Sequence, residues 1–343
     1  KRLKASVSGF VNAALRRISE KPKESWIEIL EDSELSDDEF LSVRYSHPLW
    51  VTRSLKLALQ AEGAVTELEA SLAADNHAPK VNLVALPGKE ARLEHAIRRG
   101  GSSPIGLELE FGDPSKLAGV ATGALRVQDQ GSQLTALALV DSTPIGAGES
   151  WLDLCAGPGG KAVLLAALAK QKGAMLTTNE VSEHRAKLVE TAIRHSGYVV
   201  TQLQKDGREL GLDERFDRIL LDAPCTGLGA LRRRPESRWR KNAEGLKELS
   251  VLQRELIESA WKSLKPGGVL AYVTCSPHPT ETTSQVEWLM RTMPGAELLN
   301  GTDVMLQLNP ELDIVTSRKT VQLWPHRNNT DAMFLALIRK EAK

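Results

Sequence analysis

The chain has 343 residues, 41% of them hydrophobic and 26% charged, enough for two or three domains that each bury a core. Lysine plus arginine equal aspartate plus glutamate at 44 each, so net charge announces no polyanionic partner, and no apolar run approaches the roughly 18 residues that a membrane helix needs. Three cysteines, an odd number without a secretory leader, argue against a disulfide framework and for a reducing cytoplasm; the absence of CxxC and HExxH spacings argues against a metal site.

The sequence opens on Lys1 with no apolar signal region, which reads as the start of a trimmed chain. From Ser8 to Ile18, Phe10, Val11, Ala14, Leu15 and Ile18 fall at helical spacing with Arg16 and Arg17 opposite, an amphipathic helix. A second helix is predicted over Asp37–Val43. The stretch YSHPLW interrupts it at His47 and Pro48, and a further helix begins at Leu49 and Trp50. His47 reads as a packed or surface residue before proline. Beyond Lys80, VNLVALPG predicts a strand, Lys89–Arg99 a helix, and Gly106–Phe111 further strand, together a small α/β insert suited to gripping RNA.

After LRVQDQGSQLTALALV, a strand leading into a helix, the pattern alternates strand and helix. WLDLC, MLTTNE, VVTQLQKD, DRILLDAP and VLAYVTC are predicted strands, with helices over AVLLAALAK, Glu183–Ser196 and Leu249–Leu264, and AMFLALIRK closes as an antiparallel strand. The fold class is therefore α/β, a Rossmann-like doubly wound sheet behind a helical and small α/β amino-terminal region. The predicted units are residues 1–45, 46–124 and 125–343.

In an open parallel sheet, ligands bind beyond the carboxyl ends of the strands. The run Cys155, Ala156, Gly157, Pro158, Gly159, Gly160, Lys161 follows the first strand, and its glycines let backbone amides approach a ligand. Cys155 itself reads as a small apolar filler. Glu180 ends the second strand, where an acid can take both ribose hydroxyls, and Asp206 ends the third, where an acid can hold an adenine amino group. One such group per successive strand suits S-adenosylmethionine better than a dinucleotide, since GxGxxG and P-loop fingerprints are missing. Cys225 in DAPC and Cys275 in TCS each follow a buried strand at the same crevice. Paired thiols there point to methyl transfer onto a pyrimidine ring, because a thiolate is soft, nucleophilic and a competent leaving group. An exocyclic-amine methyltransferase would want an NPPY-like run where DAPC stands. Between Leu231 and Asn242, the cations Arg232, Arg233, Arg234, Arg238, Arg240 and Lys241 face the single acid Glu236, a candidate phosphate-contacting edge.

The runs VQDQGSQL, DLCAGPGGKA, LLDAPCTGLGALRRRPE and YVTCSPHPTE resemble successive motifs of the Sun/Fmu group of RNA cytosine-C5 methyltransferases, and the resemblance extends from Leu125 to the end of the sequence. It implies a class I methyltransferase fold, S-adenosylmethionine as cofactor, and small-subunit (16S) rRNA as substrate. A tRNA target and a noncatalytic RNA-binding or ribosome-assembly role are the alternatives. A monomer is expected. The resemblance implies Cys275 as the nucleophile that adds to carbon 6 of cytosine and Cys225 as the residue assisting release, as base or by positioning one. It places Asp222 near both the base edge and the cofactor. A free thiol with a pKa of about 8.5 needs activation at neutral pH, which Lys161 or another basic group would supply. The preceding helices are similar to the linker after a NusB-like RNA-binding domain, which is expected upstream. Two departures stand out: TDAMF (Thr330–Phe334) replaces a DGFF-like run, expected to alter the pocket wall, and AGPGG replaces AAPGG.

Overall fold

Residues 5–90 and 94–342 are described by the computed structural model. Helices α1 (Ala5–Ser19), α2 (Lys23–Glu31), α3 (Asp37–Arg44), α4 (Leu49–Ala61) and α5 (Leu68–Ala74) come first. A capping box between Ser36 and Glu39 starts α3, satisfying amides that the first helical turn leaves free. Leu41 and Tyr45 pack with Val51, Leu55 and Leu72 in one apolar cluster, so the boundary expected at residue 45 falls inside a continuous helical layer.

A four-stranded antiparallel sheet follows, built from β1 (Val81–Ala85), β2 (Ile97–Arg99), β3 (Gly106–Leu109) and β4 (Leu125–Val127) in the order β2-β3-β1-β4. The helix expected over residues 89–99 is not what forms. Residues 97–99 pair with β3 instead, because Ile97 fills the sheet core beside Leu83 and Leu107; residues 91–93 lie outside the described residues. A short helix, α6 (Ala118–Ala121), and then α7 (Gln130–Asp141), N-capped by Asp129, lead into the main unit.

That unit is an eight-stranded sheet in the order β10-β12-β9-β8-β5-β6-β7, with β11 paired to β12. Its strands are β5 (Ser150–Asp153), β6 (Met175–Asn179), β7 (Thr201–Leu203), β8 (Phe216–Asp222), β9 (Leu264–Thr274), β10 (Ala296–Leu298), β11 (Val321–Gln322) and β12 (Phe334–Lys340). β5 to β9 run parallel and β12 antiparallel to β9, as the terminal segment predicts. Crossovers are made by α8 (Gly160–Lys172), α9 (Glu183–Ser196), and α10 (Ser237–Arg240) with α11 (Ala243–Ser263). α12 (Thr283–Thr292), α13 (Gly301–Leu308) and α14 (Pro325–Asn328) complete the chain.

Strand alternation feeds two cores. Leu220, Val269, Ala271 and Val273 face α7 and α8, while Ile219, Leu221, Leu270 and Tyr272 face α11 and α12. Burying each large apolar side chain stabilises by roughly 1.5–3 kcal/mol, and burial on both faces makes the sequence apolar without interruption. Strand order reverses between β5 and β8, so the loops after these strands and their neighbours open one crevice.

Candidate active site

The loop after β5 crosses the base of the crevice. Gly159 adopts φ 106° as the residue preceding α8. A Cβ there would lie 3.1 Å from Ala192 Cβ and 3.2 Å from Val189 Cα, so glycine is required by both conformation and space. At Gly157 a Cβ would fall 2.4 Å from Glu180 Oε2. The glycine that departs from AAPGG thus leaves room for Glu180, whose Oε2 accepts from the Gly157 amide at 3.1 Å. Oε1 of the same buried carboxylate accepts from Ser182 N at 2.9 Å and pairs with Arg185 at 2.8 Å.

Asp206 lies past the end of β7, which stops at Leu203, and caps the following turn. Hydrogen bonds from the Arg208 side chain and amide hold its carboxyl down to about 2. Cys155, Glu180 and Asp206, with Leu256 and Pro224, line a cleft of about 370 Å³. Asn179 ties its strands together, donating to Leu154 O and Lys205 O at 3.2 and 3.1 Å and accepting from Lys205 N. Burial, then the nearby carboxylates, push the Cys155 thiol far up, which keeps it neutral and consistent with an apolar filler.

Sequence reasoning missed Asp153, the last residue of β5. It is 1% exposed, and among the described residues no side chain hydrogen-bonds its carboxyl group, which only the Cys155 backbone approaches. Burial and the charge of Asp222, opposed by Lys161, push it up to about 8. A buried carboxyl group without a side-chain partner is costly unless a cation arrives. Its only signal in the sequence was adjacency to the glycine loop.

Nearby, Lys161 Nζ donates to Asp222 Oδ2 at 2.8 Å. Burial opposes the lysine's charge, but Asp222 and the field of Cys275 outweigh it and hold the ammonium above its ordinary value.

The two cysteines of neighbouring strand ends meet: Cys225 Sγ and Cys275 Sγ lie 3.4 Å apart. The bond to Cys275, then burial, pushes the Cys225 thiol well above its ordinary value. A clamp fixes both loops. Buried Glu281 accepts from the Thr226 amide at 2.8 Å, from the Thr226 hydroxyl, and from Gln253 at 3.2 Å. The hydroxyls of Thr226 and Ser276 lie 3.1 Å apart. Gly229 N donates to Cys275 O at 2.8 Å and Gly229 O accepts from Ala332 N at 2.8 Å. A Cβ at Gly229 would fall 2.1 Å from Ala332 O, so no other residue allows this approach.

The basic run does not form one surface. Arg232 is buried, donating to Asp129, Asn329 and Asp331. Arg238 is buried against Ser46 O, Asn76 and Asp75 O. Both are corrected from RNA contacts to internal struts, because buried carboxylate and carbonyl oxygens claim their donors. Arg233 is half exposed and paired with Asp331, and its raised affinity for protons, held against burial by Asp331, also includes the field of Cys275. Arg234, Arg240 and Lys241 are exposed. Ala332 and Met333 are buried in two cores; Met333 Cγ lies 3.0 Å from where a Gly131 Cβ would stand. His47 is buried 3.5 Å from Asp75, packed rather than at the surface.

A family model described as 16S rRNA methyltransferase RsmB/F matches residues 144–339. A putative methyltransferase of Mycobacterium tuberculosis is 45% identical over 338 residues, covering 97% of this chain and 72% of the relative. The chain belongs to the RsmB/F family. Ribosomal RNA small subunit methyltransferase B of Salmonella enteritidis is 32% identical over 305 residues, 85% of this chain and 66% of that protein. Among solved structures, PH0851 superposes with a TM-score of 0.77 at 29% identity, covering 90% of this chain and 69% of its own. NSun6 from Pyrococcus horikoshii, solved with SFG, superposes at 0.68 and 20% identity over 85% of this chain and 98% of its own, a likeness of fold alone. As a family member the chain is an RNA methyltransferase that uses S-adenosylmethionine. The crevice fits that group: the buried Asp153 carboxyl offers a counter-charge for a cationic end, and Glu180 and Asp206 line one cleft with Cys155.

Proposed function

We propose that this protein forms 5-methylcytosine in RNA, with small-subunit rRNA as substrate in the cytoplasm, through a covalent adduct between Cys275 and the target base. The observation that carries the reading is the pair of thiols 3.4 Å apart at the ends of β8 and β9, beside the loop that suits the cofactor.

Carbon 5 of cytosine is too electron-poor to take a methyl group directly. Addition of the Cys275 sulfur to carbon 6 forms a C–S bond and pushes an electron pair onto carbon 5. S-adenosylmethionine supplies the methyl group that carbon 5 then takes. A base that Cys225 supplies or positions takes the carbon 5 proton, the C–H electron pair re-forms the carbon 5–carbon 6 double bond, and the C–S pair leaves with the Cys275 sulfur. Cys275 works near the cations Lys161 and Arg233, each of which interacts with it electrostatically. Cys225, 3.4 Å from that sulfur, assists its departure, as the base for the carbon 5 proton or by positioning one. Asp222, oriented by Lys161 at 2.8 Å, faces the base edge where charge develops as sulfur adds. Asp153 and Glu180 would hold the cationic and ribose portions of the cofactor, and Asp206 its adenine amino group.

The test pairs two variants. Cys225→Ala incubated with S-adenosylmethionine and unmodified small-subunit rRNA is expected to accumulate an RNA-bound protein band on a denaturing gel, which disappears when Cys275→Ala is added. Absence of the band with intact cofactor binding, or its persistence in the double variant, overturns the reading.

A further inference from the structure

The fold sorts the basic run after Cys225 into an inward set and an outward set, and the outward set carries an aromatic ring. Arg238 pins α10 to the helical layer through Ser46 O at 3.0 Å, Asn76 Oδ1 at 2.9 Å and Asp75 O at 3.2 Å. With that side chain buried, its neighbours on the short helix turn to solvent. Trp239 is 63% exposed, and Arg234, Arg240 and Lys241 are exposed around it. Among the described residues no ring or cation covers the Trp239 indole. Glu236 lies 4.0 Å from Arg240, too exposed a pair to neutralise the patch.

The segment is also tied to the reacting centre. It leaves the crevice directly after Cys225, is joined to Cys275 O through the Gly229 amide, and passes Arg233, whose charge is felt at Cys275. A strand leaving the crevice along this segment meets α10. A flat apolar face flanked by cations is the chemistry that holds a nucleobase with a phosphate on either side. A duplex hides its base faces, so the fit is to an unpaired strand.

We propose, resting on the RNA methyltransferase reading above, that α10 is a stacking platform for single-stranded RNA flanking the target nucleotide. Trp239 stacks on one unpaired base, and Arg234, Arg240 and Lys241 take neighbouring phosphates. The enzyme's substrate is then an open region of RNA rather than a closed helix.

The test measures binding of a 5′-labelled single-stranded oligoribonucleotide, about 12 nucleotides long to fill such a groove, and of the same strand annealed to its complement. Trp239→Ala is expected to weaken single-strand binding about 10-fold, Trp239→Phe to restore most of it, and neither to change duplex binding, cofactor affinity or thermal midpoint. Arg234→Ala, Arg240→Ala and Lys241→Ala together are expected to lower the slope of log affinity against log salt by about 2, at roughly 0.7 per phosphate contact. Wild-type affinity in Trp239→Ala, or equal losses for single strand and duplex, overturns the platform alone. Failure of the wild type to bind either RNA while it binds cofactor overturns the RNA reading beneath it.

Discussion

Asp153 ends its strand fully buried, with no side chain bonding its carboxyl group and its proton held up to about 8 against an ordinary value of 3.8. Between those values the folded protein holds a proton that the unfolded chain has lost. Stability without cofactor therefore falls as pH rises from 3.8 to about 8, by up to about 1.4 kcal/mol per pH unit, and the full cost is present above that window. A cofactor ammonium reaching this carboxyl favours its charged form, so binding at pH 7 is expected to release about one proton. Calorimetry in buffers of different ionisation enthalpy reads that release directly. Asp153→Asn is expected to remove the buffer dependence and weaken cofactor binding by about 10- to 100-fold, the worth of a hydrogen bond to a charged group. Binding heats independent of buffer in the wild type would show that the carboxyl does not meet the cofactor's charge.

At the scale of elements, the crevice depends on how the ends of β8 and β9 are held together. The positions of Cys225 and Cys275 were legible because uninterrupted apolar runs identify the buried strands and each cysteine follows one. Glu281 was not: it bonds Thr226, 55 positions away, and nothing local marks such a contact. Glu281→Gln keeps the shape but sets an amide N–H2 against donors that need two acceptor oxygens. We expect kcat to fall about 10²-fold, the effect of displacing a reacting group by about 1 Å, with little change in KM for RNA or in cofactor affinity; an equal fall in affinity for both ligands would assign Glu281 to general stability instead. The segment around Ile97 misled for a related reason, since its apolar spacing suits a helix but pairing with β3 buries Ile97 in a sheet core. The basic run misled differently: a row of like charges in sequence does not reveal that Arg232 and Arg238 turn inward.

For the whole molecule, those inward arginines join parts of the chain that sequence separates. Arg232 links Asp129 before α7 to Asp331 and Asn329 before β12, and Arg238 links α10 to the helical layer. Trp324 and Arg327 reach Glu62 of that layer, each at 3.0 Å. Burial and Asp331 push Asp129 up to about 6, against the pull of Arg233 and Arg232. Arg232→Met would leave two buried carboxyl groups facing each other, and we expect a loss of about 3–5 kcal/mol at pH 7.5, read from denaturant unfolding. The loss is expected to shrink below pH 6, where Asp129 takes a proton; a pH-independent change would mean that packing rather than charge holds these parts together. The layered architecture was legible from strand and helix alternation, whereas its fastening was not, because buried ion pairs leave no periodic trace. The central claim concerns a single bond. The most direct measurement is to react the wild-type protein with S-adenosylmethionine and RNA containing 5-fluorocytidine, which blocks loss of the carbon 5 substituent, and to identify the modified peptide by mass spectrometry. The account predicts a methylated fluorocytosine adduct on Cys275; an adduct on Cys225, or RNA methylated without any adduct, would contradict it.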